Sequence, residues 1–477
     1  MRETLFHLRR EILSCAMEGL VRVQARRLAS KTTKSDSQAT DDWQLPENPT
    51  CPEDFRPLEH ACFQNPYDFY RMLRDEYPVY QLPNGIFCVS RYEDIVSVSR
   101  NTECFSSEHQ GLLAGLRQDQ DIRKIGARVE KIASLGLVPA NVLALNDPPE
   151  HSAHRKVGHK GLNARFVKSL EGRVEVLCRS MVDQFIDSGE VEFMKEFAWR
   201  LPMVLIIELL GLPARDYDKI KAWCVYGLAT QSGIATEAEL IESRAEALSF
   251  VRYCWRKFLK AKRNPQDNLL GILVNATTTP DPGFNDEQAV SLVIQLLVAG
   301  SDSTATSMGN ALKMLIENPD IEAELRADMS KLPAYIEEVF RMEAAFQGHF
   351  RWVKKETELH GVKLPVGSRI HLMWASGNRD ERFWEEPDKI ILDRKNGKKH
   401  LTFGHGIHAC IGRELARMEI RIVLKEFLTR TENLRIDGEA PFVASMLSRT
   451  LLKLPIRFDP VESAPNTEVR VREEVVA

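Results

Sequence analysis

Between Asn285 and Asn318 the chain reads NDEQAVSLVIQLLVAGSDSTATSMGNALKMLIEN, its longest stretch of helical periodicity. Asn285 is placed to cap it, Gln288 three residues on completes a capping box, and Asn318-Pro319 ends it. At 1.5 Å per residue this is a helix of ~50 Å, long enough to cross an entire domain. Helical patterns dominate the remainder too, so the expected fold class is mainly α with a minor β part (α+β). The two most apolar runs, LPMVLIIELLGLP (Leu201 to Pro213) and SLVIQLLVAG (Ser291 to Gly300), fall short of the ~20 residues that span a bilayer, and no transmembrane anchor is expected.

Sheet signals are few. In QLPNGIFCVSRYEDIVSVSR, Asn84-Gly85 marks a hairpin turn, with a helix after Ser90, and GVKLPVGSRIH from Gly361 to His371 reads as short strands. Residues 1–50 stand apart: MRETLFHLRREILSCAMEGLVRVQARR has the pattern of an amphipathic helix without a signal peptide's continuous apolar stretch, and a polar linker follows it. A single large domain is expected over residues 51–460, with a disordered tail over 461–477. The 43% of hydrophobic residues suffices for one large core, and a formal net charge of -4 suggests no nucleic-acid partner. Nine cysteines, an odd number without a Cys-x-x-Cys pair, suit a reducing interior such as the cytoplasm.

One of those cysteines sits in unusual company. HLTFGHGIHACIGRELARMEI, from His400 to Ile420, crowds Gly404, Gly406 and Gly412 around Cys410. The glycines permit positive φ and close backbone approach, so a bulky flat object can lie against the loop. Leu415, Met418 and Ile422 recur at helical spacing, which puts Cys410 at or just before a helix N-terminus, where the dipole favours thiolate over thiol. Zinc would need His405, His408 and Cys410 in one tetrahedron, at a spacing that matches no closed zinc pattern. A nucleophile would need a base, and His408 is poorly placed for that role. Ligation of haem iron accounts for the glycines, the apolar Phe403 and the exposed anion together.

The run Phe403-Gly404-His405-Gly406-Ile407-His408-Ala409-Cys410-Ile411-Gly412 resembles the cysteine-ligand loop of the cytochrome P-450 family, the haem-thiolate monooxygenases. Further landmarks follow that resemblance in order from Asp147 onward. Val298-Ala299-Gly300-Ser301-Asp302-Ser303-Thr304 is similar to the family's oxygen-activation segment, with Gly300 marking a local opening of the long helix. Asp302 and Ser303 then form a proton relay, Ser303 stands where threonine is usual, and Thr304 substitutes in part. Glu338 and Arg341 match the structural Glu-x-x-Arg pair, whose third basic member is expected at Lys389 in place of an arginine. His151, Arg155, Arg351 and His408 are expected to bind the haem propionates. Phe403, Gly404, Gly412 and Ala299 complete the set expected against the haem.

The resemblance implies a non-covalent haem b (iron protoporphyrin IX) with Cys410 as proximal ligand, and hydroxylation or other oxidation of a small, mostly apolar organic substrate. It also implies a dioxygen co-substrate and a separate electron donor, a ferredoxin or flavodoxin with its reductase. Lys395, Lys398, Lys399, Arg413, Arg417 and Arg421 form the expected basic docking face. The segment from Phe105 to Leu145 is expected as a lid, and Phe346, Gln347, His349, Phe350, Leu296, Leu297 and Ala299 as pocket lining. A peroxide-driven oxygenase of the same fold and a non-enzymatic haem sensor are the alternatives. The Asp302-Ser303 pair speaks against both.

Overall fold

The computed structural model describes residues 49–57, 59–108, 122–134, 136–229, 235–278 and 284–461. The expected N-terminal helix and nearly all of its linker, the tail beyond 461 and the middle of the expected lid (109–121) lie outside the described residues.

The helices that position the site are, in chain order, α1 (Tyr67–Glu76), α2 (Tyr92–Arg100), α3 (Ile122–Ala133), α4 (Glu150–Gly161), α5 (Arg200–Leu209), α6 (Tyr217–Ala229), α7 (Glu237–Arg263), α8 (Asp286–Ile316), α9 (Leu332–Met342) and α10 (Arg413–Arg430). α8 is the long helix of the sequence. Its capping box is formed in both directions: the Gln288 amide donates to Asn285 Oδ1 at 2.9 Å, and the Asn285 amide to Gln288 Oε1 at 2.8 Å. α7 starts with the same device, built from Thr236 and Glu239. α5, α7, α9 and α10 all pack on α8. That packing leaves Leu292, Leu297, Ala305 and Leu312 without exposure, each such leucine contributing about 1.5–3 kcal/mol by burial.

By length and composition α8 is apolar enough to cross a membrane, but most of its apolar stretch is buried inside the fold. α8 continues as α-helix through Gly300. Ile206 of α5 packs beside it, 3.6 Å from where a Cβ would sit, an ordinary van der Waals contact that an alanine would also make.

The strands are β1 (Val79–Gln81), β2 (Phe87–Val89), β3 (Phe105–Ser106), β4 (Glu190–Glu192), β5 (His349–Val353), β6 (Thr357–Leu359), β7 (Val362–Leu364), β8 (Arg369–Leu372), β9 (Thr431–Ile436) and β10 (Pro455–Pro460). The expected hairpin is β1–β2. Gly85 turns it at φ +83°, its amide donating to Leu82 O at 2.8 Å. β2 then pairs in parallel with β8, giving a five-stranded sheet in the order β1-β2-β8-β5-β3. A three-stranded sheet, β4-β10-β9, and the β6-β7 hairpin complete the minor β part.

Of the expected lid, the described pieces are β3, α3 and the residues around 136–145. α3 packs on α7, and Ala140 and Val142 are hydrogen-bonded to Ser291 and Gln295 of α8. This segment therefore lies against the N-terminal half of α8.

Candidate active site around Cys410

The cysteine loop is held from every side. Its amides close on itself: Gly404 donates to Leu401 O at 2.7 Å, Ala409 to Gly406 O at 3.2 Å and Cys410 to Phe403 O at 2.7 Å. Gly404 and Gly406 adopt φ +69° and +73°, as the sequence led one to expect, whereas Gly412, the residue before α10, has an ordinary φ of -89°. Gly406 also needs its missing side chain, since a Cβ there would come within 2.8 Å of the Ser99 carbonyl on α2. Gly406→Ala is therefore expected to lower stability by roughly 1–3 kcal/mol, through a left-handed backbone that resists alanine and a contact backbone cannot yield. Chemical denaturation of the variant, beside the less crowded Gly404→Ala, measures this.

Cys410 lies deep in the molecule yet keeps accessible surface, so its sulfur borders an internal space. Burial pushes its thiol up. The Gly412 amide bonded to the sulfur, with the cations of Arg155, Arg413 and Arg417, opposes that without reversing it. Cys410 lies just before the N-terminus of α10, as expected, while desolvation outweighs the stabilisation of a thiolate expected there.

On α4, His151 and Arg155 share a face at i,i+4 as expected. The rings of His151 and His408 lie 4.3 Å apart, and His151 Nε2 and both His408 nitrogens are buried without a hydrogen-bond partner among the described residues. Burial and the cation of Arg351 push His408 down to about 3, and burial and the cation of Arg155 push His151 to about 4. Arg351, only 8% exposed on β5, donates to the Phe350 carbonyl at 2.7 Å but has no ion pair among the described residues. Burial brings it down to about 10. An unpaired buried guanidinium is strongly destabilising. Together with the orphaned imidazoles, it fits an anionic group that lies against the cysteine loop. The donor set and the soft sulfur open to the interior suit the haem implied by the sequence.

The middle of α8 presents an accessible face at Ala299, Asp302 and Ser303, whereas Thr304 is buried. Ser303 Oγ donates back to the Ala299 carbonyl at 3.0 Å. Asp302 makes no hydrogen bond or ion pair with another described residue, and burial pushes its carboxyl up to about 6. Cys224 of α6 lies against Ser301 and Asp302, so α6 covers this part of α8.

The Glu338–Arg341 pair forms as expected, 0–1% exposed, with Nε to Oε1 at 2.8 Å and the terminal nitrogen to Oε2 at 2.9 Å. Its third member is not Lys389. That side chain is 69% exposed and reaches only Glu386, while its backbone carbonyl accepts from Arg341 at 3.0 Å. The place is taken by Arg394, whose Nε meets Glu338 Oε1 at 2.9 Å. The sequence signal missed is the arginine of Ile390-Ile391-Leu392-Asp393-Arg394, five residues further on, whose planar fork suits a buried carboxylate.

The expected pocket residues divide. Phe346 and His349 face each other at 5.1 Å, and Trp374 donates to His349 Nδ1 at 2.8 Å. His349 is exposed and shares a strand face with Arg351. Gln347 instead accepts from Tyr70 at 2.9 Å and lines a cleft with His371 and Met446. Leu297 is fully buried in the main core, Leu296 nearly so, and Phe350 is buried against His371. The expected basic face is also split. Lys398, Lys399, Arg413 and Arg417 line an open hollow beside the loop with Arg100, Arg417 being tied at the same time to Glu337, whereas Arg421 is tied to Glu171.

The cytochrome P450 family model matches residues 191–441. Cytochrome P450 144 of Mycobacterium tuberculosis (strain ATCC 25618 / H37Rv) is 33% identical over 395 residues, covering 82% of this chain and 89% of that one. Erythromycin C-12 hydroxylase of Saccharopolyspora erythraea is 31% identical over 375 residues, covering 78% and 88%. The solved structure of cytochrome P450 CREJ in complex with (4-ethylphenyl) dihydrogen phosphate matches with a TM-score of 0.77 at 25% identity, over 86% of this chain and 100% of that one. With the cysteine loop, the Glu-x-x-Arg clamp and the long core helix in place, the chain belongs to the cytochrome P450 family, the haem-thiolate monooxygenases.

Proposed function

We propose that this protein oxidises a small, mostly apolar organic molecule with dioxygen, using a non-covalent haem b held by Cys410 and electrons from a separate ferredoxin or flavodoxin with its reductase. The observation that carries the reading is the pairing of an interior-facing Cys410 sulfur with the Arg351 guanidinium, which has no ion pair among the described residues, and with the His151 and His408 imidazoles, whose buried nitrogens at His151 Nε2 and both His408 positions find no partner there. When bound, the haem supplies the oxygen-activating chemistry, and thiolate ligation favours O–O cleavage. Cys410 would hold the iron, and coordination would favour the thiolate that burial disfavours. His151, Arg155, Arg351 and His408 would hold the propionates by charge-assisted hydrogen bonds. Phe403, Gly404, Gly412 and Ala299 would lie against the haem. Gly300, Asp302, Ser303 and Thr304 form the distal segment, where the Asp302 carboxyl, drawn by burial toward its protonated form, and the Ser303 hydroxyl are the groups that hand on protons.

The hollow lined by Lys398, Lys399, Arg413 and Arg100 supports docking of an acidic electron donor. The eight described cysteines are all unpaired, which supports a cytoplasmic home. Phe346 and His349, on the face of Arg351, are the residues proposed to meet substrate.

The test is a ferrous–CO spectrum followed by spectral titration with terpenoids, steroids, fatty acids, aromatic acids and a macrolide. A thiolate-type Soret band and a saturable blue shift with one class are expected; the absence of any haem Soret band overturns the reading. Turnover with hydrogen peroxide alone, equal to that with a reduced partner, would favour the peroxide-driven alternative.

Asp302 permits a sharper check. Its raised carboxyl means that the folded chain binds more protons than the unfolded one between pH ~4 and ~6, so this group lowers stability as pH rises through that window. Asp302→Asn is expected to stabilise the protein at pH 7 by up to about 3 kcal/mol while lowering partner-supported turnover ~10²–10⁴-fold. Thermal melts and turnover on the same preparation measure both, and an unchanged turnover removes Asp302 from the relay.

A further inference from the structure

Beside the Glu338 clamp lies a second buried carboxylate with its own partners. Glu337, 6% exposed on α9, takes Arg417 of α10 side-on: Nε to Oε1 at 2.7 Å and a terminal nitrogen to Oε2 at 3.0 Å. His400 Nε2 also meets Oε2, at 3.1 Å. The Thr402 amide donates to His400 Nδ1 at 3.3 Å, so Nδ1 carries no proton, Nε2 carries it, and the ring is a neutral donor to Glu337. The Arg417 guanidinium lies over the Phe403 ring, 4.8 Å from its centroid, and the Phe403 carbonyl accepts from the Cys410 amide at 2.7 Å. His400 flanks Phe403 at 5.5 Å. Arg417 also reaches Glu414 at 3.1 Å and, with His400 and Phe403, lines the basic hollow beside the loop. It is among the cations acting on the Cys410 sulfur.

We propose that Glu337 is a positioning residue that sets the charge beneath the cysteine: by holding Arg417 and His400 as one unit against Phe403, it fixes how much positive field the Cys410 sulfur experiences and so tunes the reduction potential of the iron bound there. Glu337 supplies one negative charge and Arg417 one positive charge close to the sulfur, and reduction adds an electron at the metal. Removing the carboxylate therefore favours the reduced state and removing the guanidinium disfavours it. This inference rests on the reading of Cys410 as the iron ligand.

The test is spectroelectrochemical titration of the haem-loaded protein carrying Glu337→Gln, Arg417→Gln, both together, or Arg417→Lys. Glu337→Gln is expected to raise, and Arg417→Gln to lower, the ratio of reduced to oxidised iron at a set potential by on the order of tenfold, which is 59 mV for one electron. The double variant and Arg417→Lys are expected within about twofold of the parent. A merely structural role lowers the melting temperature in every variant but moves no potential, and that result, or shifts of equal sign in the two single variants, overturns the proposal. Should Glu337→Gln not fold, Arg417→Gln against Arg417→Lys decides the same question, because only the first removes charge. Loss of the thiolate-type Soret band from the parent protein itself instead overturns the assignment of Cys410.

Discussion

Glu338→Gln is expected to destabilise the fold by about 3–5 kcal/mol, the range for removing one partner of a buried ion pair. The carboxylate is 1% exposed and serves three donors at once: Arg341, Arg394 and the amide of Ile391 at 3.0 Å. Its loss leaves two guanidinium groups buried with no counter-charge. Arg341→Ala is expected in the same range, because Arg341 also bonds the carbonyls of Asn378, Pro387 and Lys389 that lead into the cysteine loop. Arg394→Ala removes one of two cations and is expected to cost about 1.5–3 kcal/mol. Lys389→Ala is expected within about 0.5 kcal/mol of the parent, since only its backbone takes part. Denaturant melts of the four variants give this order, and a Lys389→Ala variant as unstable as Arg394→Ala would contradict the observed clamp.

Cys410→Ser is expected to act on function with little effect on the fold. The sulfur is open to the interior and its thiol is held protonated by burial, so a hydroxyl in its place changes the melting temperature of haem-free protein only slightly. Partner-supported turnover should fall by more than the ~10–100-fold typical of losing an outer-shell partner of a metal ligand. The ferrous–CO spectrum should lose its thiolate character. Retention of that spectrum by the variant would place the ligand on another cysteine.

The two variants also separate what each part of the sequence could reveal. The capping box at Asn285 and Gln288, the Asn84-Gly85 turn and the Glu338–Arg341 spacing are local devices: their partners lie within a few residues, so the chain's order nearly specifies the geometry. The cysteine loop was legible for the same reason, its glycines and its sulfur all within ten positions. Lys389 misled because the choice between it and Arg394 depends on how a loop some fifty residues away lies against α9.

By itself, then, the sequence determined the helical frame, the cysteine loop and the identity of most charged groups around it, because periodicity, caps and closely spaced motifs encode short-range geometry. The tertiary structure alone decided the balance of charges: that burial keeps Cys410 a thiol, that Asp302 is drawn toward neutrality, that Arg351 lies buried without an ion pair among the described residues, and that Arg394 and Arg417 are each claimed by a buried carboxylate. These depend on which groups are removed from water together, and desolvation is a property of the packed molecule that no linear spacing records.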